Sequence, residues 1–173
     1  MDSCFYGRRT ILDLIKRRVV DLKEGYRQNM AFLGSQHVGK SMILQKFLSD
    51  IDDQALIPVY LDLASRDFYY FSSKITRSLL YHYAKNRGLQ VHDDLALLVE
   101  AVRPFLPQTT GRIAELQSLI EKNRFNEAYD LLIALPDVFT QESGLFCILI
   151  IDEFHLLEEF GIPDVFRKIA DRI

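Results

Sequence analysis

The apolar positions near the start of the chain fall at helical spacing. Ile11, Ile15, Val19 and Leu22 share one stripe, which predicts a helix over residues 10–24. Thr10 and Asp13 read as its capping box and Gly25 as its stop. The run NMAFL at 29–33 is short and apolar, as a buried strand would be, and SMILQKFL at 41–48 returns to helical spacing. A second strand is predicted over 56–63, with Pro58 inside it. Proline cannot donate to a ladder, so this strand belongs at a sheet edge or pairs from one side only near Pro58.

A long helix follows over 66–87, with Phe68, Phe71, Ile75, Leu79 and Tyr83 on its apolar face and Gly88 at its end. The aromatics of FYYF continue into that stripe, which favours core packing over base stacking. A helix over 92–103 closes at Pro104 and Pro107. Segments 110–123 and 126–135 form a helical hairpin turned at KNRFN. No second copy appears at a fixed period, so the hairpin is not one unit of a solenoid. The third strand is LFCILII at 145–151, followed by helical pieces at 155–160 and 163–172. The alternation of strands and helices predicts an α/β fold with a parallel sheet.

Composition narrows this picture only a little. A chain of 173 residues, 49% hydrophobic and 26% charged, is globular and of one-domain size. It buries enough surface to fold without disulfide or metal. The net charge of −3 gives no global argument for nucleic acid. Cys4 and Cys147 form no CxxC pair, so neither a zinc site nor a disulfide framework is indicated, and Cys147 reads as a small core residue. The longest apolar run, at 145–151, is too short to cross a bilayer, and the N-terminus has no apolar signal-peptide region. The expectation is a cytoplasmic protein with no membrane partner.

The chemistry concentrates in two places. GSQHVGKS, from Gly34 to Ser41, fits G-x-x-x-x-G-K-[ST] at every fixed position, between a predicted strand and a predicted helix. Gly34 lets the chain leave the strand sharply, and Gly39 lets backbone N–H groups approach a phosphate. Lys40 offers a point charge to the β- and γ-phosphates, Ser41 a hydroxyl to Mg²⁺, and the helix its positive end. The candidate nucleotide-binding segment is Gly34, Ser35, Gln36, His37, Val38, Gly39, Lys40, Ser41 and Met42. His37 holds a variable position and is assigned no chemistry. The competing reading is a chance glycine-rich turn with a surface lysine.

Hydrolysis also needs a carboxylate for Mg²⁺ and a group that activates water. CILIIDE supplies both: an apolar strand ends in Asp152, the metal-ligand candidate, and Glu153 is the general-base candidate, with Lys40 assisting catalysis. The competing reading makes Asp152 and Glu153 caps of the next helix.

With these residues in view, the chain resembles the AAA+ and STAND group of P-loop ATPases, most of all the archaeal-type ATPase family and its relatives among the origin-recognition initiators. Phe5-Tyr6-Gly7-Arg8 is similar to the family's aromatic-x-Gly-Arg box, GSQHVGKS to its phosphate loop, and CILIIDEFHLL to its Asp-Glu strand. Only the last two are specific. The resemblance implies a P-loop NTPase parallel sheet with flanking helices and a helical insertion at about 66–143 between the second and third strands. It implies ATP and Mg²⁺ as ligands, with Tyr6 and Arg8 near the adenine. It also places the second strand at a sheet edge, where Pro58 costs little. In the family two more strands, a sensor residue and a helical lid or winged-helix part follow. The chain ends before these, so residues 1–173 are read as the front portion of such a domain with an incomplete, poorly stable sheet. No sensor or arginine finger is identified, and a protein or nucleic-acid partner would act through parts beyond the chain.

Two rival readings remain. Asp152-Glu153-Phe154-His155 spells the DExH motif of superfamily 2 helicases, but the backbone-gripping segments expected between it and the phosphate loop are missing. A nucleotide-dependent switch with little turnover, its partner surface between residues 66 and 135, is the other.

Overall fold

The computed structural model describes residues 8–26, 28–35, 38–63 and 67–171. They divide into two compact units, one ending at Asp53 and the other starting at Gln54.

The first unit is a pair of helices. Helix α1, Arg9–Lys23, buries Leu12 and Ile15, and α2, Lys40–Asp50, buries Ile43, Leu44 and Phe47. The two pack together. Lys16 and Lys46 meet Asp50 at 3.4 and 2.8 Å, and Lys23 meets Asp53 at 2.7 Å. The stop at Gly25 is as predicted. Gly25 takes φ +92°, and the Tyr26 amide reaches back to the Asp21 carbonyl at 2.8 Å, closing the helix in a left-handed cap. The Thr10–Asp13 capping box does not form: Arg8 is the N-cap residue and no side chain caps the helix.

Residues 29–33 also depart from expectation. They are irregular rather than a strand, and Leu33 is 94% exposed. An apolar run becomes a strand only where a ladder takes up its peptide groups, and in this unit the described residues supply none.

The second unit holds the sheet. Strands β1, Leu56–Asp62, and β2, Phe146–Asp152, run parallel in register from Leu56 opposite Phe146 to Asp62 opposite Asp152. Phe146 N–H donates to the Ala55 carbonyl at 2.8 Å and Leu63 N–H to the Asp152 carbonyl at 3.3 Å. The odd-numbered residues of β1 therefore turn their peptide groups toward β2, and Pro58 turns away from it. The missing N–H falls on the outer rim, where one-sided pairing had been expected.

Between the strands lie α3 (Phe68–Asn86), α4 (Leu95–Val102), α5 (Pro107–Glu121) and α6 (Phe125–Ser143). All five residues of the predicted α3 stripe are buried. Phe68 and Phe71 gather with Phe125, Tyr129 and Phe160 at ring separations of 5.3 to 6.4 Å, so the two phenylalanines of FYYF serve the core while Tyr69 stays exposed. The predicted start of α3 at Arg66 lies outside the described residues. Asp94 caps α4 by accepting from the Leu97 amide at 3.0 Å, which delays its start from 92 to 95. Pro107 opens α5 instead of closing α4, as suits a residue with no N–H to satisfy. Helix α6 runs eight residues past its predicted end at 135, straight through Pro136. After β2 come a 3₁₀ helix, Phe154–Phe160, and α7, Val165–Ala170. The chain is thus mixed α/β around a two-stranded parallel sheet. Among the described residues no helix is long and apolar enough to cross a membrane.

Candidate functional site

In the first unit, Gly39 is the N-cap of α2 at φ +84° and ψ +30°, a left-handed conformation that favours glycine. Lys40 starts the helix, and no side chain caps it. The first-turn amides lack intrahelical partners by construction and point outward with the positive end of the dipole. The Lys40 ammonium curls back onto the Gly34 and Ser35 carbonyls, both at 2.9 Å, tying the start of the loop to the start of the helix. Its third proton is left for another acceptor. Ser41 is half-buried, and Val38 and Met42 are exposed. Gln36, His37 and Tyr6 lie outside the described residues.

Arg8, expected near an adenine by resemblance, sits on this loop. Its Nη1 donates to the Gly39 carbonyl at 2.9 Å and its Nη2 to the Val38 carbonyl. A Cβ on Gly39 would come within 2.5 Å of that guanidinium. The positive φ is what asks for glycine here, since the arginine tip could shift to admit a Cβ. Two cationic side chains and a helix N-terminus converge on one short segment, a setting for an anion.

In the second unit, Asp152 ends β2 and is 8% exposed. Its Oδ1 accepts from the Glu153 amide at 3.0 Å, and its Oδ2 accepts from the Tyr60 hydroxyl on β1, also at 3.0 Å. Glu153 follows with φ +56°, a strained position for a residue with a side chain. Its carboxylate is half-exposed, 3.5 Å from His155 Nδ1. Asp62 lies opposite Asp152 in the register and is exposed.

Among the described residues no group of three or more His, Cys, Asp or Glu side chains could hold a metal by itself. A nucleotide-bound Mg²⁺ asks less of the protein, since it takes one or two hard oxygens and draws the rest from phosphate and water. In the first unit the Ser41 hydroxyl, and in the second the Asp152 carboxylate, is a donor of that kind. By donor type, each of the two suits a hard cation.

No family model, curated protein or solved structure matches the chain. Sequence reasoning missed Tyr60. The one signal available was the alternation that puts Tyr60 and Asp152 on the same sheet face once the register is known.

Proposed function

We propose that the chain binds ATP and, with Mg²⁺, hydrolyses it, as an AAA+/STAND-type P-loop ATPase module. One observation carries the reading. A complete GSQHVGKS motif sits at the start of α2, with Gly39 left-handed and Lys40 folded along the loop. In this reading the loop amides and Lys40 hold the phosphates, and Arg8 braces the loop through the Val38 and Gly39 carbonyls. Ser41 on the loop and Asp152 at the end of β2 are each a hard-oxygen candidate for Mg²⁺, and the exposed Glu153 carboxylate is the candidate to accept a proton from water. Bound Mg²⁺ supplies neutralisation of charge on the phosphate oxygens. ATP is preferred over GTP by resemblance alone.

Calorimetric titration of Mg-ATP into the chain and into Lys40→Ala tests this. Binding by the parent that weakens at least 100-fold in Lys40→Ala supports the reading. A folded parent that takes up no nucleotide overturns it.

A further inference from the structure

We propose that Tyr60 is a positioning residue for Asp152, fixing the carboxylate that faces Mg²⁺; this rests on the function proposed above. Tyr60 lies opposite Ile150 in the parallel register, and Asp152 is two residues further along β2. Alternation puts both side chains on one sheet face, on a diagonal that only a long side chain spans. The phenol spans it and places its hydroxyl 3.0 Å from Oδ2.

Two features separate this contact from ordinary core satisfaction. The first is completeness. A buried carboxylate needs donors, and here each oxygen receives one, from the Glu153 amide and from Tyr60. Two bonds on two oxygens stop rotation about the Cβ–Cγ bond, and each oxygen retains a further acceptor direction. The second is charge. Among the described residues no lysine, arginine or histidine pairs with Asp152, although ion pairs are plentiful elsewhere on the molecule. Both donors are neutral, so they orient the carboxylate without cancelling its charge. A cation placed there would compete with Mg²⁺, whereas a phenol does not.

Such outer hydrogen bonds on a metal's ligand are worth about 10- to 100-fold in metal affinity. The test is Tyr60→Phe, which keeps the ring and removes the hydroxyl. ATP affinity is measured in EDTA and across a MgCl₂ series, on the full chain, for the parent, Tyr60→Phe, Asp152→Asn and the double variant. The expected result is an unchanged affinity in EDTA and an Mg²⁺ midpoint about tenfold higher for Tyr60→Phe. The double variant should match Asp152→Asn. A Tyr60→Phe midpoint equal to the parent's overturns the proposal while leaving the ATPase reading intact. Equal loss with and without Mg²⁺ also overturns it, since that marks a merely structural contact. A parent that binds no ATP, or binds it without response to Mg²⁺ or to Asp152→Asn, overturns the reading underneath and the proposal with it. If Tyr60→Phe does not fold, Tyr60→Met carries the same comparison.

Discussion

Cys147 shows how a single residue reports its surroundings. Its side chain packs against the core, and burial first, then the nearby Asp137 charge, pushes its thiol from the ordinary 9.0 up to about 12. The unfolded chain would lose this proton first. Between those two values the native state holds more protons, so stability falls as pH rises above about 9. Burial of the Tyr129 phenol, followed by the Asp130 charge, acts in the same direction at still higher pH. The expected outcome is a melting temperature that drops from pH 9 upward and drops less steeply in Cys147→Ala; parallel curves would refute the burial cost. At this scale the sequence was partly legible. The packing of Cys147 against the core followed from its apolar neighbours. Arg8 on the loop carbonyls and Tyr60 on Asp152 did not follow, because each contact depends on packing or register that local pattern does not encode.

At the scale of elements, the α5–α6 hairpin depends on one carboxylate. Helix α5 begins at Pro107 without a side-chain cap of its own. Glu142, near the end of α6, takes that place, accepting from the Gln108 and Thr109 amides at 2.7 and 2.8 Å and from the Thr109 hydroxyl at 2.7 Å. It satisfies orphan donors and sits at the positive end of the α5 dipole. Glu142→Ala should cost about 1–2 kcal/mol, on the scale of a lost cap. Glu142→Gln, which keeps one acceptor oxygen, should cost less, and urea unfolding of the three proteins decides it. The hairpin turn was readable from KNRFN, where Asn123 adopts φ +56°. The length of α6 was not. Proline reads as a stop, since Pro136 forgoes the bond to the Leu132 carbonyl and its ring crowds that oxygen, yet the burial of Leu132, Leu135 and Phe139 on either side carries the helix through. Residues 29–33 fail in the opposite sense, since apolar composition alone cannot supply a ladder.

For the whole molecule, the parallel pairing that the strand–helix alternation foretold is realised in β1 and β2. Its partners are about 90 residues apart in sequence. The core of the second unit is correspondingly long-range, running from Ile57 and Val59 through the α3–α6 helices to Ile169. Closing so long a loop before its contacts form is unfavourable, so the local helical contacts should form first and the sheet last. Leu132→Ala should therefore mainly slow folding, while Val59→Ala should mainly speed unfolding. Chevron plots of the two variants would show it, and the reverse pattern would place the sheet in the nucleus. The parallel pairing also gives the two sides of the sheet unequal tendencies toward self-association. A growing stack of strands needs an unbroken row of amide protons at each new layer, and Pro58 leaves a gap in the row that β1 turns away from β2. Strand-by-strand polymerisation is therefore interrupted on the β1 side, a colloidal safeguard written into one imino acid.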